Sequence, residues 1–323
     1  MSAPLVSILV RSVDRPTLRR ALDSIAAQDH PAIEVIVVAA SGASHSALPD
    51  TCGRFPLRML AQAHALPRAE AANAALDAAH GDWLNFLDDD DELLPSHVTT
   101  LLAALDEHRS CRLAHSVSED VGIDGRFIGY HGGRFKPWRQ LDTGFFHPHC
   151  AMFSRSLVGE GARFDNQFEI LEDMDFFIQC AQRTEFIFVE KPTTRYYVDA
   201  GDSGAGRGAN RDEARLRGAI AQLRGKWAGL ESVLRASPEF RGEQALWLLE
   251  QGAVEAAAPI VATLLAETPD SADARTLDAL LHVIRGDVDG AQRVVADIGT
   301  RTPALDALAL RLDQLRSRMS ATH

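Results

Sequence analysis

Cysteine is scarce in this 323-residue chain, and its four copies (Cys52, Cys111, Cys150 and Cys180) are far apart, with no Cys-x-x-Cys pair. This spacing excludes a disulfide scaffold and a paired-cysteine zinc site, and it is typical of free thiols in a reducing compartment. Long hydrophobic runs are absent too. Runs such as residues 35–40 are far shorter than the ~20 residues that cross a bilayer, and no signal-peptide core is present. We therefore expect a soluble, cytoplasmic protein without a transmembrane segment.

Basic residues are outnumbered by acidic ones. Lys and Arg total 33 against 45 for Asp and Glu, which gives a formal net charge of −12. Such a chain lacks the positive surface that binds nucleic acid, so nucleic acid is excluded as a partner. Hydrophobic residues make up 46% and charged residues 24%, as in ordinary folded proteins. At roughly 150 residues per domain, the length predicts about two domains.

Strand and helix patterns alternate over the first hundred residues. Residues 5–10, 33–38 and 83–87 are apolar runs typical of buried parallel strands. Apolar positions recur at helical spacing over 18–26, and a further helix is predicted over 68–79. This order predicts an α/β fold with a mostly parallel sheet flanked by helices. Ligands bind such sheets beyond the carboxyl ends of the strands.

The strand at 83–87 leads directly into five acidic residues, Asp88 to Glu92. Like charges at this density repel one another unless a cation neutralises them. Mg²⁺ and Mn²⁺ prefer carboxylate oxygens, and the run stands where an α/β sheet binds its ligand. The run is therefore a candidate divalent-metal site. The alternative is a solvated acidic loop ahead of the helix that follows Ser96.

A second acidic group, formed by Glu172, Asp173 and Asp175, opens a helix predicted over 170–182. The apolar positions of this helix leave the three acids off its core face. The helix dipole holds a carboxylate ionised at this end, so an acid here is a candidate general base. The alternative is plain charge complementarity with the start of the helix.

From about residue 211 the composition shifts to helix formers, and one segment repeats. Residues 252–257 recur as 286–291, and Pro269 recurs as Pro303, both at an offset of 34 residues. This offset is the tetratricopeptide period.

We predict an α/β domain over 1–210, a helical linker over 211–239 and a small, all-α, tetratricopeptide-like module over 240–323. The alternative for the last segment is an unrelated helical bundle. Two repeats do not bury a core by themselves. We therefore expect the module to pack on the first domain, on a protein partner, or on a second copy in a homo-oligomer.

Several stretches within residues 1–205 resemble the family 2 glycosyltransferases, which have the GT-A nucleotide-diphospho-sugar transferase fold. The matching stretches, in chain order, are PLVSILV at 4–10, RP at 15–16, IEVIVV at 33–38, AN at 72–73, GDWLNFLDDDD at 81–91, FD at 164–165 and LEDMDF at 171–176. Their order and spacing identify the segment with that family more strongly than any one of them does.

The resemblance implies a role for each acid. Asp90 would be the main ligand of Mn²⁺ or Mg²⁺, and Asp88 and Asp89 would help to position the ribose, the diphosphate or the metal. Asp173 and Glu172 would be the catalytic acids, with Asp173 as the base that deprotonates an acceptor hydroxyl.

The resemblance also extends to the donor side, with two departures. Ser12 and Asp14 would lie in the loop around the nucleotide, and Arg68 stands near the usual place of an arginine that contacts phosphate or base. The acid pair that follows the family's second strand is replaced by Ala39-Ala40-Ser41-Gly42, and the opening loop reads Arg11-Ser12-Val13-Asp14. These departures affect the prediction of which nucleotide base the donor carries more than the prediction of the reaction class.

We therefore hypothesise a metal-dependent, inverting glycosyltransferase. It would move a sugar from a nucleoside diphosphate to a hydroxyl of a glycan, a lipid-linked glycan or a protein. The glycine-rich segment 199–210 would close over the donor. One alternative is a degenerate transferase domain that acts as a scaffold through its C-terminal helices. Another is a nucleotidyltransferase, which the glycine-free loop 11–14 disfavours.

A separate motif, His147-Pro148-His149-Cys150, contains residue types that bind zinc. No second ligand cluster stands at zinc-site spacing from it. We interpret it as an ordinary loop near the acceptor.

Overall fold

The computed structural model describes residues 3–141, 146–201 and 212–298, and the chain divides into two compact units with the boundary between Trp227 and Ala228. The strands of the first unit are β1 (Val6–Ser12), β2 (Ile33–Ala39), β3 (Thr51–Cys52), β4 (Phe55–Leu60), β5 (Trp83–Asp88), β6 (Glu92–Leu93), β7 (Leu113–Val121), β8 (Phe127–His131), β9 (Ala151–Ser154) and β10 (Phe186–Tyr197). Its helices are α1 (Leu18–Ala26), α2 (Arg68–Ala78), α3 (His97–Glu107), α4 (Pro137–Gln140), α5 (Arg155–Gly159), α6 (Glu172–Ala181) and α7 (Glu213–Lys226). Short 3₁₀ turns lie at Gly42–Ser44 and Pro148–Cys150.

The ten strands form one sheet in the order β3-β4-β2-β1-β5-β9-β7-β10-β6, and β8 pairs with β7. The neighbours β4, β2, β1 and β5 are all parallel. Beyond β5 the sheet is mixed, because β9 runs antiparallel to both β5 and β7. The predicted α/β class, with parallel strands flanked by helices, is confirmed.

Helices cover both faces of the sheet because the central strands are apolar on both sides. In β1, Ile8 points to a core that α1 and α3 complete, whereas Leu9 points to a core that α2 and α6 complete. Both side chains are fully buried. Each such burial stabilises the fold by roughly 1.5–3 kcal/mol. The two cores, one on each face of the sheet, therefore hold the central strands in place and with them the edge of the sheet at which these strands end.

The last helix of the first unit, α7, is held by a buried acid on α6. Asp175 is fully buried and accepts hydrogen bonds from Lys226 Nζ at 2.9 Å and Trp227 Nε1 at 2.8 Å. Asp175 therefore faces the interior, and the expectation that it lies off the core face is wrong. Residues 213–227 belong to the first unit, although the sequence places them in a linker, because the buried carboxylate needs these two donors.

The described part of the second unit consists of helices and the turns between them. Its helices are α8 (Ala228–Ala236), α9 (Pro238–Glu250), α10 (Val254–Glu267), α11 (Ala272–Ile284) and α12 (Val288–Ala296). The helix starts repeat every 34 residues, from α9 to α11 and from α10 to α12. Ser237 and Ser271 cap the first helix of each pair with their hydroxyl oxygens. Gly252 and Gly286 end it with positive φ angles of 74° and 81°, which glycine adopts without strain.

Two predictions concern residues outside the described part of the chain. Residues 202–210 of the glycine-rich segment and Pro303 of the repeat both lie there. Among the residues that the structure describes, no helix combines the length and the apolar character needed to span a membrane.

Candidate functional site

The ends of β1 and β5 bring the predicted donor residues together. The two strands are parallel neighbours, and Arg11 stands opposite Asp88 in their register. Ser12 ends β1, Asp88 ends β5, and the remaining acids follow β5 directly. The candidate site therefore lies at the carboxyl edge of the parallel sheet, as the sequence predicts.

Arg11 joins the two acidic motifs. Its Nε and Nη2 atoms each donate to the Asp88 carboxylate at 2.9 Å, and its Nη1 donates to Glu172 Oε1 at 2.6 Å. The side chains of Arg11 and Glu172 are 9% and 2% exposed. Burial disfavours the charged guanidinium, but the two carboxylates outweigh it and raise the pKa of Arg11. One cation thus links the end of β5 to the start of α6.

Asp88 is held ionised by this pairing. Burial alone would raise the pKa of its carboxyl, but the positive charges of Arg11 and then Arg68 lower it below the usual value. Arg68 is the first residue of α2, so the structure places its charge toward the same carboxylate. A paired carboxylate next to a second cation is suited to orienting a ligand rather than to taking up a proton.

Asp89 supports the loop that follows β1. It is fully buried, and its carboxylate accepts hydrogen bonds from Ser12 Oγ at 3.0 Å, from the Val13 amide at 2.9 Å and from Arg15 Nη1 at 2.6 Å. These donors occupy both of its oxygens. The buried Asp89 side chain therefore holds the loop after β1 in place.

Ser12 and Asp14 are also tied into this loop. The Asp14 amide donates to Ser12 Oγ at 3.0 Å, and Asp14 has a left-handed φ of 65°. Its carboxylate accepts from both the amide and the hydroxyl of Ser46, which lowers the pKa of Asp14. His45 Nε2 lies 2.9 Å from Ser12 Oγ. The loop after β1 is thereby braced against the loop after β2.

Asp90 has few partners. Among the described residues, the ion-pair partner of its side chain is Arg15 Nη1, 3.7 Å from Asp90 Oδ2. Burial, followed by the negative charges of Asp91 and Asp88, raises the pKa of Asp90 to about 7. A cation would relieve this repulsion, and carboxylate oxygens suit Mg²⁺ and Mn²⁺.

Asp91 turns away from Asp90 into the protein. It accepts a hydrogen bond from the Tyr197 amide at 3.0 Å and lies 3.1 Å from His149 Nδ1. Burial disfavours a charged His149, but the Asp91 carboxylate outweighs this and raises the pKa of His149. Arg11, Arg15 and His149 are the site residues that the sequence reasoning missed. Arg11 could have been found by aligning the predicted strands β1 and β5 as parallel neighbours, because this alignment places Arg11 opposite Asp88.

The acids at the start of α6 also differ from one another in burial and in partners. Glu172 is buried against Arg11, so the expectation that it lies off the core face is wrong, whereas Asp173 is half-buried. Burial, and then the charge of Glu172, raises the pKa of Asp173 to about 6, while Arg11 lowers it. Leu171, which precedes the helix, has a left-handed φ of 65°. Strain of this kind is common where a side chain must be held for function.

Removal of the bridging guanidinium tests this arrangement. We expect Arg11→Met to lower the free energy of unfolding by about 3–5 kcal/mol, because breaking a buried ion pair leaves uncompensated charge. Urea unfolding at neutral pH measures the effect.

Arg19→Met is the matched control, because the ion pair of Arg19 with Asp23 is exposed, at 83% and 61%. Exposed pairs contribute little, so this variant should unfold close to wild type. Equal effects of the two substitutions would contradict the role assigned to Arg11.

Residues 7–161 match the family model described as Glycosyl transferase family 2. The uncharacterized glycosyltransferase YwdF of Bacillus subtilis is 26% identical over 222 residues, covering 64% of this chain and 80% of YwdF. A PGL/p-HBAD biosynthesis glycosyltransferase of Mycobacterium bovis is 28% identical over 188 residues, covering 56% of this chain and 71% of that protein. The match to the uncharacterized protein y4gI of Sinorhizobium fredii spans only 13% of that longer protein.

Two solved structures share the fold. Staphylococcus aureus TarS 1–349 in complex with UDP-GlcNAc has a TM-score of 0.52 at 17% identity, over 90% of each chain. The mannosyltransferase PcManGT from Pyrobaculum calidifontis, in complex with GDP-Man and Mn²⁺, has a TM-score of 0.52 at 18% identity, over 92% of this chain and 86% of that one. At these identities the similarity concerns the fold alone.

Proposed function

We propose that this chain is a family 2 glycosyl transferase, as the match over residues 7–161 supports, and that its site transfers a sugar from a nucleoside diphosphate donor to an acceptor hydroxyl. The transfer inverts the anomeric carbon of the sugar, with a divalent cation at Asp90 and with Asp173 as the base. The nucleotide-sugar complexes of the two structural neighbours support this class of donor.

The observation that carries the proposal is the Arg11 bridge. Asp88 adjoins the donor side of the site and Glu172 adjoins the candidate base, and both contact one guanidinium. The bridge pairs these two acids, whereas burial and neighbouring negative charge raise the pKa values of Asp90 and Asp173. This pattern supports the roles that the resemblance assigns to Asp90 and Asp173.

Asp90 fits a divalent cation, because its charge is repelled by two neighbouring acids and is only weakly compensated by Arg15. Mn²⁺ or Mg²⁺ bound there would neutralise the charge that develops on the departing diphosphate. Arg68 at the start of α2 adds a positive charge toward Asp88. Ser12 and Asp14 shape the nucleotide side of the site, and Asp89 holds their loop.

Asp173 fits the base. The N-terminus of α6 favours its ionised form, and Asp173 as a residue is half-buried whereas Glu172 and Asp175 are buried. A base that takes the proton of the acceptor hydroxyl on the side opposite the leaving group gives inversion. Glu172 acts through Arg11 and through its charge, so we assign it a positioning role.

The second unit gives a separate proposal. Its two helical hairpins, repeated every 34 residues and capped at equivalent serines, match the tetratricopeptide period. We propose a tetratricopeptide-like module that binds a protein partner or a second copy of the chain.

A thermal-shift screen tests the proposed donor class. We expect one or more nucleoside diphosphate sugars to raise the melting temperature in the presence of Mn²⁺ or Mg²⁺, because a ligand at 100 times its Kd stabilises the folded state by about 2.7 kcal/mol. The matching free monosaccharide is the control and should not shift the transition.

The donor so identified is then incubated with candidate acceptors, and transfer of its sugar is followed by mass spectrometry. No shift with any nucleotide sugar would contradict the proposal and favour the scaffold alternative.

A further inference from the structure

Three residues with metal-binding side chains converge on another part of the sheet. Asp120 near the end of β7, His131 at the end of β8 and His147 before the 3₁₀ turn each offer one ligand atom, and these atoms lie within 4.8 Å of one another. None of the three belongs to the acidic run at β5 or to the start of α6. We propose that they form a site for a transition-metal ion, Zn²⁺ in the first instance.

The sheet fixes two of the ligands. Asp120 pairs with Gly129, and His131 pairs with Ser118, in the antiparallel ladder of β7 and β8. Asp120 and His131 are therefore diagonal neighbours on one face of the ladder. Gly129, opposite Asp120, adds no side chain to that face. The ladder thus presents a carboxylate and an imidazole side by side.

The third ligand is held by aromatic packing. Tyr196 on β10 is the parallel partner of Asp120. The ring of His147 stacks on Tyr196 with centroids 3.9 Å apart and planes at 19°. The ring centroid of His147 also lies 4.5 Å from that of His131 and 5.5 Å from that of His149. Pro148 follows His147 directly and restricts the backbone there. The imidazole is thereby oriented before any ion binds.

The spacing matches a coordinated ion. His147 Nε2 and Asp120 Oδ1 lie 3.4 Å apart, which is long for a hydrogen bond. Two ligands that each stand about 2.05 Å from a tetrahedral zinc are about 3.3 Å from each other. Asp120 is buried and its partner His147 is 17% exposed, so the cluster reaches solvent on the histidine side. The ligand atom of His131 lies within 4.8 Å of both.

The ligand set selects the class of metal. Two imidazoles and one carboxylate suit Zn²⁺ and similar transition ions, whereas Mg²⁺ prefers oxygen ligands throughout. Three protein ligands leave a fourth position of a tetrahedral ion open to water or to another molecule. The ion would also cross-link the β7–β8 hairpin to the segment that leads into β9.

Calorimetric titration of the metal-stripped full-length protein with Zn²⁺ tests the site. The titration is run in excess Mg²⁺, which occupies oxygen-ligand sites, and in the Cys111→Ser background, because Cys111 is the cysteine that is not buried. We expect one Zn²⁺ per chain. His131→Gln and His147→Gln should each weaken binding by more than about 100-fold, since loss of even a supporting second-shell partner costs 10–100-fold.

Two matched variants distinguish this site from a surface histidine and from the acidic run after β5. His108→Gln removes a histidine from the end of α3 and should leave Zn²⁺ binding unchanged. Asp90→Asn should also leave it unchanged, whereas the proposed donor function would be lost. Titration with Co²⁺ adds a spectroscopic readout, because histidine ligation gives visible absorption bands that both His→Gln substitutions should remove.

The proposal is overturned if the protein binds no Zn²⁺, if binding survives the double substitution of His131 and His147, or if binding disappears in Asp90→Asn. Circular dichroism of each metal-free variant shows whether it is folded. If His131→Gln does not fold, Asp120→Asn, which keeps the shape of the side chain, replaces it in the same comparison.

Discussion

Replacing Asp173 with asparagine is expected to lower kcat by roughly 10²–10⁴-fold, the usual contribution of a positioned general base. The amide cannot accept the proton of the acceptor hydroxyl. Donor binding should stay near wild type, because the donor residues belong to β1, β5, the loops after them and the start of α2. The measurements are turnover with saturating donor and, separately, calorimetric binding of the donor with Mn²⁺.

The pH profile of the wild-type protein gives an independent check on Asp173. Its pKa is raised to about 6, and a base acts only when it is ionised. With saturating Mn²⁺, which keeps Asp90 ionised, activity should be full well above that pH and fall about tenfold per pH unit below it. Glu172→Gln removes the neighbouring negative charge, so it should lower the pKa of Asp173 and move the decline to lower pH.

Glu169→Gln is the matched control for Asp173→Asn. Glu169 precedes the same helix, but its side chain is 84% exposed and pairs with Arg215. This variant should turn over at the wild-type rate. Near wild-type turnover of Asp173→Asn would instead remove Asp173 from the mechanism.

Replacing Asp90 with asparagine should abolish the dependence of donor binding on the cation. Loss of a carboxylate ligand is expected to weaken Mn²⁺ binding by more than about 100-fold, given the cost of losing even a supporting residue. Transfer should fall by at least about 10²–10³-fold, the usual cost of losing one electrostatic stabiliser of a transition state. Donor titrations with and without Mn²⁺ measure the first effect, and initial rates measure the second.

Glu92→Gln serves as the control within the same acidic run. Glu92 contacts Arg20 at 3.3 Å and Arg195 at 3.5 Å, and so faces away from the ligand set. It should retain cation-dependent donor binding. If Asp90→Asn retained that dependence as well, the cation would have to bind elsewhere.

The parallel strands, and the sheet edge where they end, were predictable from the sequence. The runs that become β1, β2 and β5 are apolar apart from one residue each, Ser7, Glu34 and Asn85, and runs of that kind are typical of strands buried on both faces. The positions of Asp88 and Asp90 after β5 followed from the same pattern. The local sequence pattern was sufficient to predict these strands, because their own apolar residues cause their burial.

Contacts between distant parts of the chain were not predictable in this way. Arg11 and Glu172 are 161 positions apart, and helical periodicity placed Glu172 and Asp175 away from the core. Their burial depends on partners, Arg11 for one and Lys226 with Trp227 for the other. A prediction from local pattern assumes that charged side chains are exposed to solvent. It fails where a residue from a distant part of the chain supplies an ion-pair or hydrogen-bond partner and the charged side chain is buried.

The hydrogen bonds of Lys226 and Trp227 to Asp175 have a consequence for where the domain can be cut. A truncation at the end of the family match, residue 161, would remove α6 itself, whereas one at the glycine-rich segment near 205 would keep Asp175 and discard both donors. In a fragment ending near 205, Asp175 would lose its ion-pair partner Lys226 and keep the hydrogen bond from Gln179 Nε2 at 2.8 Å, and breaking a buried pair costs up to about 3–5 kcal/mol. That is a large share of the total stability of a typical domain. We therefore expect a stable fragment of the first unit to extend through Trp227.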